Sequence, residues 1–183
     1  GGQRHAERHG FDGAWIAQHH FHEKEGGLPS PLLFLAHVAA HTKTIRLGTA
    51  IITLPMENPL RVAEDAAVLD LLADGRLEVG FGSGGTPTSF LPFGLTFEDR
   101  GAAFADHLHV IQSAWRGDSL THPDNHLYPP APQLAERIWI ATFSADGAVR
   151  AARAGHGLML SRTQPRPTDG LDLTLDAIQN PIV

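Results

Sequence analysis

Short apolar runs alternate along this chain with longer segments of helical period, and this order restricts the fold more than any other feature. Five runs are expected to be strands: 14–17, 45–53, 77–81, 138–141 and 158–160. Each intervening segment is long enough to cross back over a sheet as a helix. Because strands that alternate with crossover helices are parallel, the sequence predicts an α/β fold in a single domain over residues 1–183.

Helix boundaries are marked by cap residues, prolines and glycines. Ser30 and Asn58 each precede a proline, which predicts two helices that begin with a capping side chain. Gly75 is expected to end the second of them. The spacing within that helix predicts four side chains that face the core: Leu60, Ala63, Ala67 and Leu71. We also expect all three tryptophans to lie in the core: Trp15, Trp115 and Trp139.

The composition excludes several classes of protein. With 14 Lys and Arg against 20 Asp and Glu, the formal charge of -6 argues against a nucleic-acid partner. Cysteine is absent, which excludes disulfides and thiolate metal sites in these residues and suits a cytoplasmic protein. No apolar stretch is long enough to span a membrane, so we expect no membrane partner. The chain lacks an initiator Met, and we expect it to be incomplete at both ends.

Polar residues or glycines lie at or just after the end of each predicted strand: His19, Thr53, Gly82, Thr142 and Ser161. Open parallel sheets and closed barrels both build their sites at the carboxyl ends of strands. Periodicity alone does not separate these two architectures. Since every strand contributes to this edge, the pattern favours the mouth of an eight-stranded barrel over the single crevice of an open sheet.

The densest group of titratable side chains is the run His-His-Phe-His-Glu at 19–23. Imidazole is suited to proton transfer near neutral pH. If the strand continued through this run, His20 and His22 would share one face and His19 the other, so a metal held by all three would need a sharp turn. A solvated surface run and an acid/base group are the alternatives, and we expect no metal site.

Two other segments suit a phosphate group. Glycines at 80, 82, 84 and 85 allow backbone N–H groups to approach a ligand closely, although Pro87 and Pro92 prevent the helix that a dinucleotide fingerprint requires. Ser144 precedes a helix whose first turn presents unpaired N–H groups to an anion. Both segments keep a purely structural interpretation, as a mobile glycine loop and as a simple N-cap.

Together these segments resemble the bacterial luciferase family and the wider group of luciferase-like flavin monooxygenases. The similarity covers about residues 6–161, follows the order of the family, and is most specific between Gly48 and Gly84. The segments that carry it are GFDGAWIAQHHF at 10–21, GTAIITLP at 48–55, NPLRVAED at 58–65, Leu69-Asp70, Gly75-Arg76 and GFGSG at 80–84.

The resemblance implies a TIM-type (β/α)8 barrel, incomplete in this chain because the first strand and the last units are missing. It implies that FMN, or the deazaflavin F420 in sister branches, binds at the C-terminal mouth. His19 falls where the family keeps its active-site histidine, and Ala50-Ile51 matches a non-prolyl cis peptide against which the flavin ring packs. The cofactor-binding residues implied are Ala50, Ile51, Gly82, Ser83, Thr142, Ser144, Gly147 and Ser161.

Three positions depart from the family pattern. Gln18 stands where many members have Glu, Ser83 replaces a phosphate-binding Arg, and Phe143 occupies an acidic position. Light emission is therefore not expected. Without the bidentate Arg, phosphate binding would depend on Arg162 or on backbone donors.

The resemblance predicts an FMN-dependent monooxygenase that oxidises a small organic substrate with O₂. Reduced flavin would come from a separate reductase, and His19 would be the general acid/base. A homodimer is expected, as in relatives of this type. Two alternatives remain: an F420-dependent hydride-transfer oxidoreductase on the same scaffold, and a non-catalytic flavin-binding protein.

Overall fold

Helices and parallel strands alternate throughout the part of the chain that the structure describes. The structure is a computed structural model, and it describes residues 2–160. The helices are α1 Gly2–Arg8, α2 Pro31–Ala39, α3 Pro59–Leu72, α4 Arg100–Arg116 and α5 Ala145–Arg153. The strands are β1 Gly13–Ile16, β2 Arg46–Thr49, β3 Ile52–Thr53, β4 Leu77–Gly82, β5 Ile138–Ala141 and β6 Gly157–Met159. Over these residues, no helix combines the length and the apolar character that crossing a membrane requires.

All strand pairs in the sheet are parallel, and the strand order follows the chain. The path is β1-β2-β4-β5-β6, with β3 also paired to β4. Each new strand is added on the same side of the previous one, as in a barrel, whereas a doubly wound sheet reverses direction at its switch point. The predicted alternation of strands and crossover helices is confirmed.

The expected strand at 45–53 is divided into β2 and β3. The Ala50–Ile51 peptide bond between them is cis, as the resemblance implied. Just before this break, the Thr49 hydroxyl accepts from the Gly80 N–H at 2.8 Å and donates to the Gly80 carbonyl at 3.0 Å. A side chain thus replaces the backbone ladder at this point and keeps β2 joined to β4.

The two faces of the sheet differ in composition. Leu47, Leu77, Val79, Phe81 and Ile138 alternate outward and are buried beneath the helices. The inner face carries Trp15 and Trp139, whose rings meet edge to face with centroids 5.4 Å apart. Their predicted burial in the core is wrong for Trp15, which is 38% exposed, whereas Trp115 is buried as expected. Strand alternation sends Trp15 and Trp139 to the face opposite the helices.

The predicted inward face of α3 is only partly correct. Ala63 and Ala67 are buried and Leu60 packs against the core, but Leu71 is 62% exposed. Asp70 takes the inward position because its carboxylate accepts hydrogen bonds from Leu77 N, Gln133 Nε2 and Arg137 Nη1. A polar side chain with three donors is satisfied in the interior, and one residue further along a helix points about 100° away.

Helix caps follow the sequence signals in one case and not in the other. The Asn58 side chain accepts from the N–H groups of Leu60 and Arg61, which confirms the predicted start of α3. Ser30 occupies the corresponding position before α2, but its side chain makes no capping hydrogen bond. Gly75 adopts a φ of 74° after α3, which is the left-handed conformation that favours glycine at a helix end.

Helix α1 is attached to the loop before β2 by one carboxylate. Glu7 Oε1 accepts the N–H groups of Lys43 at 2.7 Å, Thr44 at 2.7 Å and Ile45 at 3.1 Å. These backbone donors stabilise the ionised form and lower the pKa of Glu7 to about 2. The carboxylate therefore contributes to stability above its ordinary pKa, and this contribution is lost as the pH falls through the folded-state value.

We expect Glu7→Gln to reduce the free energy of unfolding at neutral pH, with a difference from the wild type that shrinks between pH 4.5 and about 2. Urea denaturation across this pH range measures that difference. Glu64→Gln is the control, because Glu64 pairs with the exposed Arg61; it should change stability by less than about 0.5 kcal/mol. A Glu7→Gln difference that stays constant down to pH 2 would contradict the role assigned to the carboxylate.

Candidate active site

The carboxyl ends of the strands form one edge, and most of the predicted site residues lie along it. β3 pairs with β4 so that Thr53 lies opposite Gly82, and β5 pairs with β6 so that Ala141 lies opposite Met159. Ala50 and Ile51 lie between β2 and β3, and Ser83 follows β4 directly. We call this edge the mouth. Ser161 lies outside the described residues.

Ile51 and Gly82 are in direct contact at the mouth. A Cβ atom built on Gly82 would lie 2.9 Å from Ile51 Cδ1 and 3.7 Å from Ala141 Cβ. Position 82 therefore has no room for a side chain while Ile51 keeps its place. Three neighbouring strand ends thus present a close-packed apolar surface, of the kind against which a flat ring can lie.

The next part of the mouth is the start of α5. Ser144 Oγ accepts the Gly147 N–H at 3.1 Å, which confirms Ser144 as an N-cap, and Thr142 Oγ1 accepts the Ser144 N–H at 3.1 Å. A Cβ atom on Gly147 would lie 2.0 Å from Thr142 Oγ1, so only glycine lets the two segments approach this closely. The first turn carries Asp146, and the basic residues Arg150 and Arg153 are in the last turn. Any phosphate held here would depend on hydroxyl and backbone N–H donors.

The histidine run begins at His19, shortly after β1 ends at Ile16. The His19 N–H donates to Leu28 O at 3.0 Å, and the Gln18 N–H donates to Ile51 O at 3.2 Å, which holds this segment beside the break between β2 and β3. The strand-like arrangement considered for His20 and His22 does not occur, because β1 ends at Ile16 and Phe21 has a φ of 64°. The sharp turn at Phe21 ends the strand-like alternation.

His20 lies in an aromatic cluster that the sequence did not identify. Its ring centroid is 5.6 Å from that of Phe21 and 5.1 Å from that of Phe93. Burial lowers the pKa of His20, and the nearby Glu57 carboxylate offsets only part of that effect. Its Nε2 atom is buried and has no hydrogen-bond partner within residues 2–160. A neutral imidazole with an unused ring nitrogen therefore lies next to exposed phenylalanines.

Gln18 is a second site residue that sequence reasoning noted only as a departure from a pattern. It is 5% exposed, and its side chain contacts three segments around the mouth. Nε2 donates to Pro29 O at 2.9 Å and to Glu57 Oε1 at 2.6 Å, while Oε1 accepts the Thr53 N–H at 2.7 Å. The available signal was an amide immediately after an apolar strand, but its partners are far away in sequence.

The loop after β4 extends over the mouth. Gly84 lies against Thr53 and Phe90, and His22 Nε2 is 3.0 Å from Thr88 Oγ1, so the loop contacts both β3 and the histidine run. A surface hollow of about 270 Å³ lies in this loop, lined by Pro87, Thr88, Leu91, Thr96, Phe97 and Glu98. Across residues 2–160, no three His, Cys, Asp or Glu side chains are grouped so as to hold a metal ion.

Residues 3–172 match the family model for luciferase-like monooxygenases. Among solved structures, the monooxygenase RslO1 from Streptomyces bottropensis is similar with a TM-score of 0.75 and 30% identity, over 97% of this chain and 56% of that one. The chain is also similar to the oxygenase component of flavin-dependent trigonelline monooxygenase from Acinetobacter baylyi (strain ATCC 33305 / BD413 / ADP1). The two are 28% identical over 74% of this chain and 40% of that protein.

A relative with a different cofactor is the F420-dependent glucose-6-phosphate dehydrogenase of Beutenbergia cavernae (strain ATCC BAA-8 / DSM 12333 / CCUG 43141 / JCM 11478 / NBRC 16432 / NCIMB 13614 / HKI 0122). It is 29% identical over 88% of this chain and 51% of its own length. The chain thus spans about half the length of the proteins it resembles, and their named cofactors include both flavin and F420. Its parallel sheet, with strands added in chain order, is the TIM-type barrel fold in incomplete form. This chain belongs to the family of luciferase-like monooxygenases.

Proposed function

We propose that the mouth binds reduced FMN and that the protein is a monooxygenase which oxidises a small organic substrate with O₂. The main support for this proposal is that four predicted site elements lie along one edge of the sheet. They are His19, the Ala50-Ile51 peptide, Gly82 and the hydroxyls of Thr142 and Ser144. Sites of β/α barrels lie at this edge. Relatives named as monooxygenases support the reaction class.

The residues present suit a flavin mononucleotide. Ala50, Ile51 and Gly82 offer the apolar surface for the ring, since no side chain separates Ile51 from the end of β4. The phosphate would be held by the hydroxyls of Ser83, Thr142 and Ser144 and by the first turn of α5, which Gly147 allows to pack against Thr142. Ser161, which lies outside the described residues, is a further proposed cofactor contact. Hydroxyls and the N–H groups of a first helical turn are suitable donors for a phosphate. When bound, the flavin supplies the oxygen chemistry, and the protein supplies orientation, water exclusion and proton transfer.

The substrate is proposed to be apolar and uncharged. Phe21 is 64% exposed and Phe93 is 41% exposed, and their rings lie 5.7 Å apart beside the neutral His20. An exposed aromatic surface of this kind provides contact area for an apolar ligand. His19 is the proposed acid/base group. A separate flavin reductase is the proposed partner, because the trigonelline relative is named as the oxygenase component of its enzyme.

F420-dependent hydride transfer is the second candidate function. It is favoured by the similarity to an F420-dependent dehydrogenase over 88% of this chain. The two functions differ in their need for oxygen. The monooxygenase proposal predicts substrate-stimulated O₂ uptake with reduced FMN, whereas hydride transfer predicts substrate-dependent reduction of F420 under anaerobic conditions. If substrates from an apolar panel stimulate F420 reduction and never O₂ uptake, the second candidate replaces the first.

We expect Gly82→Val to weaken FMN binding by about tenfold or more, because the new side chain must displace Ile51 from the proposed ring surface. Fluorescence titration of FMN measures the affinity. Gly85→Val is the matched control, since a Cβ atom at Gly85 meets nothing within 4 Å. Equal FMN affinity in both variants would exclude this part of the mouth as the ring site.

A further inference from the structure

Three segments border the proposed ring surface, and all of them meet at the side chain of Gln18. Pro29 belongs to the loop after β1, Thr53 belongs to β3, and Glu57 follows the short 3-10 turn Leu54–Met56. Gln18 is also hydrogen-bonded to Ile51 O through its own N–H. We propose that Gln18 is a positioning residue: its amide holds the break between β2 and β3, and with it Ile51, in the place that the flavin ring requires.

The hydrogen bonds of the Gln18 amide explain how it can hold three segments together. We call Gln18 with its partners Pro29 O, Thr53 N–H and Glu57 the clamp. Both N–H groups of Nε2 are used, at 2.9 Å to Pro29 O and at 2.6 Å to Glu57 Oε1, and Oε1 accepts the Thr53 N–H at 2.7 Å. A carboxamide supplies two donors and an acceptor in one rigid plane. Because the residue is 5% exposed, water cannot replace these bonds, so loss of any of them leaves a buried polar group unpaired.

The donor end is what distinguishes an amide from a carboxylate at this position. A carboxylate at position 18 would still accept from Thr53, but it could not donate to Pro29 O. It would also face the Glu57 oxygen that now lies 2.6 Å from Nε2. Two carboxylates at this separation cannot both stay ionised without strong repulsion, and they come to share one proton as the pH falls.

The titratable groups around the clamp do not cancel that repulsion. Glu57 is the carboxylate in contact. His20 interacts with it electrostatically, but burial favours the neutral form of that ring, and His19 disfavours its charged form further. From α4, the His107 ring contacts the neighbouring Leu54 O rather than the clamp. In Gln18→Glu the bond to Glu57 should therefore be lost at high pH and restored, through a shared proton, at low pH.

A first measurement tests the clamp without any flavin. Amide hydrogen exchange at Thr53 should become about tenfold faster or more in Gln18→Leu, which removes the acceptor. At low pH it should stay near the wild-type rate in Gln18→Glu, which keeps an acceptor. Gln112→Leu is the matched control, because Gln112 bonds to His156 at the amino end of β6. Unchanged exchange at Thr53 in Gln18→Leu would overturn the inference. If that variant does not fold, accelerated exchange in Gln18→Glu at low pH would overturn it instead.

A second measurement tests the link to the ring site, and this link depends on the proposed function. The FMN affinity of Gln18→Glu, relative to the wild type at the same pH, should fall by about tenfold or more at pH 8 and recover by at least about threefold at pH 5.5. Recovery stays incomplete because the bond to Glu57 returns but the bond to Pro29 O does not. The control Gln112→Leu should bind FMN like the wild type at both values. A constant ratio at the two pH values would overturn the positioning role. If the wild type binds neither FMN nor F420, the proposed function fails, and the exchange measurement alone decides whether the clamp exists.

Discussion

Replacement of His19 by alanine is expected to lower kcat by about 10²–10⁴-fold at saturating reduced flavin, the range typical for loss of a general acid/base. The segment itself should stay in place. Two backbone bonds hold it, from His19 N to Leu28 O and from Gln18 N to Ile51 O, and alanine at position 19 keeps both of them. Flavin affinity should therefore change little while kcat falls.

The assay for His19→Ala compares substrate-stimulated O₂ uptake at saturating reduced FMN with the wild type. His109→Ala provides the control, since His109 is an exposed residue on α4. It should retain full turnover. Unchanged kcat in His19→Ala would remove the acid/base role, and the neutral His20 beside the two phenylalanines would become the next residue to test.

Gly80→Ala is expected to destabilise the fold by about 3 kcal/mol or more. A Cβ atom at this position would lie 2.1 Å from the Thr49 carbonyl oxygen and 3.0 Å from Met159 Cε. The Met159 side chain can move, but the Thr49 carbonyl belongs to the adjacent strand. Moving that strand would break both hydrogen bonds between the Thr49 hydroxyl and Gly80.

Chemical denaturation measures the loss in Gly80→Ala. The same substitution at Gly85 is the control, because a Cβ atom there meets nothing within 4 Å. It should change stability by no more than about 0.5 kcal/mol. If Gly80→Ala proved as stable as Gly85→Ala, the close approach of β2 and β4 just before the cis peptide would not exist in solution.

The order of strands and helices was predictable because its signals are local. Apolar runs, helical period and glycine or proline at the boundaries are readable without knowing which segments meet. The side of α3 that faces the core was not predictable from such local signals. Asp70 faces the core because its carboxylate accepts hydrogen bonds from Gln133 and Arg137, which follow it by 63 and 67 residues. No pattern within the helix indicates those partners.

The tryptophans show a second limit of sequence reasoning. An apolar residue in a strand is expected to be buried, but a strand has two faces, and the rule does not say which one the helices cover. Trp15 and Trp139 lie on the inner face, where Trp139 Nε1 donates to Glu78 at 2.8 Å and Glu78 also pairs with Arg46. The charged pair on this face offered no periodic signal.

The candidate site was also predictable only in part. That residues 50–53, 82–83 and 142–147 share one edge follows from a parallel sheet, where all carboxyl ends meet. Which of them touch does not follow. The contact of Ile51 with the end of β4, and the bonds from Gln18 to Thr53 and Glu57 that span 35 and 39 residues, require the folded chain.

A crystal structure of the protein with FMN would show where the flavin ring and the phosphate lie. The proposed function predicts that the isoalloxazine ring lies against Ile51 and Gly82, with the phosphate at the hydroxyls of Thr142 and Ser144 and at the start of α5. Flavin bound at any other surface, or no flavin in crystals soaked at saturating FMN, would contradict it.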